Sequence, residues 1–336
     1  MAAAPRAEAC AAVGRLRELL GSNAAVARLR GRPVQADAAL AGEAAPVTGL
    51  RDMVGFVTED LARSLVPGDM SAPRELNTGI PHIARIYDFW LGGKDNYAAD
   101  RAVATQMAEV SPHIARNVRA NRAFLARTVR YLAEQAGIRQ FLDIGTGLPS
   151  PGNTHEVAQS VAPEARVVYA DNDPIVLAHA RALLTSSPEG ATGYLDADVR
   201  DPGKILDEAR GLLDFSRPVA VLLLAVLHVI GDDEDPWQLV ARLMAPLAAG
   251  SFLVISQGAT DIDPEMMAEL SARLDKLMPA GQRPAFRDRA HVARFFDGLD
   301  LIDPGLVPIT GWRPDPSTGI DPAGPVPMWG AVGKKP

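Results

Sequence analysis

The stretch Arg139–Asp173, RQFLDIGTGLPSPGNTHEVAQSVAPEARVVYADND, limits the fold more than any other part of the chain. A short apolar run (Phe141, Leu142, Ile144) breaks at Gly145 and Gly147. A helical segment follows, and a second apolar run (Val167, Val168, Tyr169) ends on Asp171. The pattern predicts strand, turn, helix and strand, with a carboxylate at the tip of the second strand. Such a unit lets backbone approach a nucleotide-like ligand closely at the glycines and offers the acid to ribose hydroxyls.

The turn separates two cofactor classes. A dinucleotide turn places a third glycine where Ser150 stands, preceded here by Pro149, so that helix and strand can close around a diphosphate. Asp143, two residues ahead of Gly145, would repel a diphosphate but suits a cofactor with a cationic end. S-adenosylmethionine, with an amino acid head and a sulfonium, meets that demand. A nicotinamide-dependent oxidoreductase and a purely structural turn are the competing readings.

The rest of the chain continues the alternation. Helices are expected over Asp100–Val110, from Pro112 through the stripe Ile114, Val118, Leu125, Val129 and Leu132, from Pro174 to Thr185, over Pro202–Leu213, Asp235–Ala248, Pro264–Leu277 and Asp288–Phe296. Strands are expected at Ala191–Ala197, Pro218–Val226 and Phe252–Ser256. Strands separated by helices imply an α/β fold with a parallel sheet. Two last strand candidates, Leu299–Pro308 and Val326–Val332, lack an intervening helix and are expected to pair antiparallel at one edge.

Residues 1–75 differ: Phe56 is their one aromatic residue, so they are expected to form a loosely packed or partly disordered extension, with helical pieces at Ala9–Leu20 and Leu50–Leu65. A catalytic domain is expected over 76–336, its first part (76–138) a lid and helices. The 336 residues, 47% of them hydrophobic, suffice for one large core. A formal charge of -7 disfavours general nucleic-acid affinity. The single Cys10 excludes an internal disulfide and a cysteine-based metal site, and no metal is expected. With no signal-peptide core and no apolar run long enough to span a bilayer, a cytoplasmic protein is the simplest inference.

In an open α/β sheet, ligands bind beyond the carboxyl ends of the strands. Those ends offer Asp143, Gly145, Thr146 and Gly147 from the first strand and Asp171 with Asn172 from the second. The third offers Asp198, able to accept from an adenine amino group or to cap a helix, and the fourth His228. A histidine there can act as general base, pack beside the cofactor, or sit as a hydrogen-bonded core residue. Asn121, inside the apolar stripe, needs a partner there and is expected to anchor the preceding loop, the alternative being contact with ligand. A second polar cluster, His82, Tyr87, Asp88, Gly92, Gly93, Lys94, Asp95 and Asn96, combines aromatics with a glycine pair and is expected to fold over the cofactor as a lid.

The runs IPHIARIYDFWLGGKDNYAADR, FLDIGTGLP, VVYADNDPIVLAHARALL, AVLLLAVLHVI and WRPD resemble the S-adenosylmethionine-dependent methyltransferase family of actinobacteria long catalogued as a domain of unknown function. The resemblance covers about Ile80 to Lys334. It implies a Rossmann-like class I fold, a mostly parallel seven-stranded sheet with an antiparallel C-terminal hairpin, and S-adenosylmethionine binding. By motif it implies the first-loop role for Asp143, Gly145 and Gly147, the ribose role for Asp171, the adenine role for Asp198 and a cover made by Gly92–Asn96. It names no methyl acceptor. A small-molecule acceptor is expected, and a non-catalytic sensor of the cofactor or its demethylated product is the alternative.

Overall fold

A computed structural model describes residues 78–183, 186–279, 283–314 and 326–336. The expectations for residues 1–75 and for the last turn before Thr185 lie outside the described residues.

The parallel sheet forms as the alternation predicts. Strands β1 (Gln140–Ile144), β2 (Arg166–Asp171), β3 (Ala191–Asp196), β4 (Ala220–Leu224) and β5 (Phe252–Gly258) run parallel in the order β3-β2-β1-β4-β5. The strand order reverses at β1, between β2 and β4, which opens a crevice at the carboxyl ends of these strands. A seven-residue antiparallel strand, β8 (Met328–Lys334), continues the sheet beside β5.

The Leu299–Pro308 stretch departs from the expected single strand. It gives two short strands, β6 (Asp300–Leu301) and β7 (Val307–Pro308), each antiparallel to β8. Between them Pro304 supplies no N–H donor and Gly305 takes φ +80°, so the ladder is broken by a turn.

Alternation along the strands sorts side chains into two cores, one on each face. Leu142, Ile144, Val221, Leu223, Leu253 and Ile255 face α6 (Pro202–Ala209) and α7 (Pro236–Met244). Phe141, Leu222, Phe252 and Val254 face α3 (Ile114–Glu134). The stripe read from sequence on α3 is buried throughout, Val129 and Leu132 completely. Helix starts follow their caps. Asp201 accepts from the Lys204 amide ahead of α6, and Asp263 does the same for Met266 at α8 (Pro264–Leu277), each with proline in the first turn.

A third core lies apart from the sheet, where α1 (Ile83–Leu91), α2 (Ala98–Val110) and α8 pack through Ile86, Val103, Met107, Leu270 and Leu274. Among the described residues no helix is long and apolar enough to cross a membrane.

Candidate functional site

The β1 tip is built around a buried carboxylate. Asp143 accepts from the Thr154 hydroxyl at 2.6 Å. Burial raises its carboxyl from 3.8 to about 6, with Thr154 and Arg122 opposing the rise and Asp171 adding to it. The loop that follows takes left-handed backbone at Gly145 (φ +70°) and Gly147 (φ +66°). A Cβ on Gly145 would fall 2.3 Å from Val226 Cγ2, so the glycine is also needed for close approach. In place of a third glycine the loop runs on to Asn153, and α4 (Thr154–Val161) begins under a capping box of Asn153 and Glu156. Arg122, on α3, fastens the loop from outside: its Nη2 donates to Gly152 O at 2.9 Å and reaches the Ser150 and Pro151 carbonyls.

Asp171 sits at the β2 tip and accepts from the Gly147 amide (2.9 Å) and the Asp173 amide (2.9 Å), one at each oxygen. Each oxygen keeps a lone pair for a further donor. Burial raises its carboxyl as well. Asn172 is exposed and donates to Asp198 Oδ2 at 2.7 Å. Asp198 also accepts from the Arg200 amide, while the helix-capping duty falls to Asp201. Arg200 is bound to Glu234 and to Val229 O.

The segment before the sheet divides in two. His82, Tyr87 and Asp88 reach the crevice, on or next to α1. Asp173 ties that helix to the β2 tip, with His82 Nδ1 at 3.2 Å and Arg85 Nε at 3.7 Å. Asp88 Oδ2 accepts from the Asp95 amide and from Asn96 Nδ2, and a Cβ on Gly93 would lie on Asp88 Oδ1. The glycine pair therefore lets the chain fold back onto Asp88. Gly92, Gly93 and Lys94 are exposed, Asp95 lies 3.4 Å from His179, and none of Gly92–Asn96 lines the crevice.

At the β4 tip, Ala225 takes φ +52° and its amide donates to Ser256 O and Oγ. Ser256 Oγ donates to Asn121 Oδ1 at 2.7 Å, Asn121 Nδ2 donates to Tyr87 Oη, and Tyr87 donates to Val118 O. Asn121 thus anchors the α1 segment to the sheet and also borders the crevice. His228 follows on a short 3-10 turn, Leu227–Val229, and is buried with its Nδ1 lacking a hydrogen bond. Burial, then the Arg287 charge, lowers it from 6.5 to about 4, so the ring is neutral at ordinary pH. Arg287 is spent on the Leu227 and Ile230 carbonyls and on Asp232.

These pieces enclose one cavity of about 420 Å³. Its floor is the strand edge: Asp143, Gly145, Thr146, Gly147, Asp171, Asn172, Asp198 and His228 all line it. Its far wall, from Trp90, Met107, Met266, Leu270 and Phe286, is apolar. The floor fits a cofactor that is nucleoside at one end and an amino acid at the other. Carboxylates stand at three strand tips, bare backbone lies at two glycines, and Arg122 keeps guanidinium donors beyond those given to the loop for a carboxylate. Sequence reasoning missed Arg122, which looks like one of many helix-surface arginines, and the α8 wall, whose spacing looks like ordinary core.

The profile of the S-adenosyl methyltransferase family matches residues 69–336. Two crystal structures share the fold at high identity. A DUF574 family protein from Streptomyces avermitilis is 44% identical, over 77% of this chain and 99% of its own, with a TM-score of 0.74. A protein from Thermobifida fusca is 40% identical, over 80% of this chain and 99% of its own, with a TM-score of 0.71. No curated protein matches.

Proposed function

The chain belongs to the S-adenosyl methyltransferase family and is an S-adenosylmethionine-dependent enzyme; from that premise we propose that it methylates a small molecule held in the apolar half of its cavity. The observation that carries this reading is continuity. One cavity runs from the glycine loop and Asp171 to the wall formed by Leu270 and Phe286. A sensor sealed around its cofactor would have no use for that second half. The lone Cys10 is consistent with a cytoplasmic setting.

In this proposal Gly145 and Gly147 let backbone lie against the cofactor, Asp171 accepts from the ribose hydroxyls, and Asp198 with Asn172 faces the adenine edge. Asp143 balances the α-ammonium and Arg122 the α-carboxylate. When bound, S-adenosylmethionine would supply an activated methyl group to the acceptor's lone pair, the C–S electron pair remaining on sulfur, and the acceptor's proton would leave to bulk solvent after transfer. What is left for the protein is to align the nucleophile and exclude water. His82, Tyr87 and Asp88 close the cavity over these groups through α1, while Gly92, Gly93, Lys94, Asp95 and Asn96 hold that helix in place by wrapping Asp88. His228, neutral, serves as a hydrogen-bond acceptor that orients the acceptor. A base whose conjugate acid titrates near 4 is too weak to drive proton removal ahead of methyl transfer.

Calorimetric titration with S-adenosylmethionine, S-adenosylhomocysteine and NAD, on the wild type and on Asp171→Ala, tests the assignment. Both adenosyl ligands should bind and NAD should not, and the substitution should weaken binding by roughly 1.5–3 kcal/mol, the loss of a charged hydrogen bond. A folded wild type that binds neither adenosyl ligand would refute it.

A further inference from the structure

The far half of the cavity describes its occupant. Helices α1, α2 and α8 and the Pro284–Phe286 segment contribute Trp90, Leu91, Met107, Met266, Met267, Leu270, Leu274 and Phe286. Among the described lining residues of these elements, the sole charged side chain is Asp88, already committed to the Asp95 amide and the Asn96 amide group. The Trp90 indole N–H is spent on Ala104 O at 3.1 Å, so the residue offers the cavity ring surface and no donor. Phe286 lies against the end of β5, where a Cβ on Gly258 would come 2.4 Å from its ring; the absent side chain makes room for the ring. The methionines add a polarisable, adaptable surface. Near this wall Ser111 and Asn117 add neutral polar groups to the lining, and the buried Nδ1 of His228, without a hydrogen-bond partner among the described residues, belongs to a ring 5.9 Å from Phe286.

Resting on the methyltransferase reading above, we propose that the acceptor is an uncharged, hydrophobic ring compound, its body between the α1 and α8 walls and its nucleophilic heteroatom on the polar floor beside His228. A charge on the body of the acceptor would meet no free countercharge among the described residues of this wall, and burying it there is unfavourable. Amino acids, nucleotides and sugar phosphates are thereby disfavoured on this wall. Flat or polycyclic neutral molecules gain from the aromatic and thioether surfaces.

A matched pair of probes tests this. Naphthol and hydroxynaphthoate share a ring system and differ by one carboxylate. Their binding is measured by tryptophan fluorescence and calorimetry on protein saturated with S-adenosylhomocysteine. Naphthol should bind at least about tenfold tighter. Met266→Lys, which places a cation on the half-buried edge of the α8 wall, should move that ratio at least about tenfold toward hydroxynaphthoate while S-adenosylhomocysteine affinity stays as in the wild type. Leu91→Lys repeats the test from the α1 side should the first variant lose the cofactor product. If S-adenosylhomocysteine binds but naphthol does not, or the two probes bind equally, or neither lysine moves the ratio, the acceptor class is wrong and the cofactor reading survives. If S-adenosylhomocysteine itself fails to bind, the methyltransferase reading falls and this inference with it.

Discussion

Replacing Asp143 by Asn removes a buried charge yet keeps an oxygen for the Thr154 hydroxyl, now 2.6 Å away. Burial holds the Asp143 carboxyl near 6 against an ordinary 3.8. An acid with a raised value binds its proton more tightly folded than unfolded, so the folded protein loses stability as pH climbs from about 4 to about 6. At roughly 1.4 kcal/mol per unit, the loss retained at neutral pH is at most about 3 kcal/mol. Asparagine carries none of it. Asp143→Asn should therefore be more stable than the wild type near neutral pH, by up to about 3 kcal/mol, and equal to it near about pH 4, where the wild-type carboxyl is protonated.

His228 titrates over the same window with the opposite sign. Its value is lowered from 6.5 to about 4, so the stability present above its unfolded value is lost as pH falls through that range. The two slopes offset each other in the wild type, and Asp143→Asn exposes the histidine slope alone. Urea denaturation followed by tryptophan fluorescence at several pH values reads both. The same substitution removes the proposed countercharge of the cofactor's ammonium. Wild-type affinity for S-adenosylhomocysteine should be about tenfold weaker at about pH 5 than at about pH 7, since only the ionised carboxylate holds a cation, whereas the variant should be weaker and flat across that range. A stability gain that is absent, or that does not shrink toward low pH, refutes the burial argument. Unchanged affinity refutes the role toward the cofactor.

Asn121→Leu takes the acceptor from the Ser256 hydroxyl and the donor from the Tyr87 oxygen and should cost roughly 1–3 kcal/mol in chemical denaturation, with cofactor affinity falling as α1 loosens. Gly145→Ala combines left-handed backbone with a contact of 2.3 Å to Val226 and should destabilise by roughly 1–3 kcal/mol, with S-adenosylhomocysteine binding weakened in calorimetry. Because His228 loses its proton only near 4, kcat at saturating cofactor should show no limb from it between about pH 5 and about pH 8, and His228→Gln should lower kcat without changing the shape of that profile. A wild-type limb at an ordinary histidine value that disappears in the variant would contradict the neutral, orienting role.

The strand, glycine turn, helix and strand from Arg139 to Asp173 were legible because their signals are local. The apolar runs, the two glycines and the terminal Asp171 lie within one segment, and the α3 stripe declares its buried face by spacing alone. The two short strands β6 and β7 were read as one because a strand pattern shows apolar content, while the break depends on Pro304 and Gly305 acting together as a turn. Arg122 stayed hidden for a different reason. Its partners are carbonyls 28 to 30 residues further along, and backbone acceptors leave no trace in residue identity.

The polar cluster from His82 to Asn96 shows where the limit lies. Sequence displays its polar groups but not their partners, and the partners decide function. Asp88 consumes the donors of Asp95 and Asn96, which makes that loop a fastening, while His82 on the near side of the helix lines the cavity and pairs with Asp173. At the strand tips no such ambiguity arises. Topology alone brings Asp143, Asp171, Asp198 and His228 to one edge, whatever each side chain bonds to. What topology cannot fix is the charge each of them carries there. Asp143 and His228 are displaced in opposite directions and exchange order, a carboxyl raised to about 6 and an imidazole lowered to about 4, by the same burial that forms the cavity. Burial favours the neutral form of both groups, and a bound cation would reverse that preference for the carboxylate at the β1 tip. In the proposed binding mode the depth of the site couples cofactor binding to the ionisation of Asp143, so that closing the cavity would contribute to charge selection as well as to the exclusion of water.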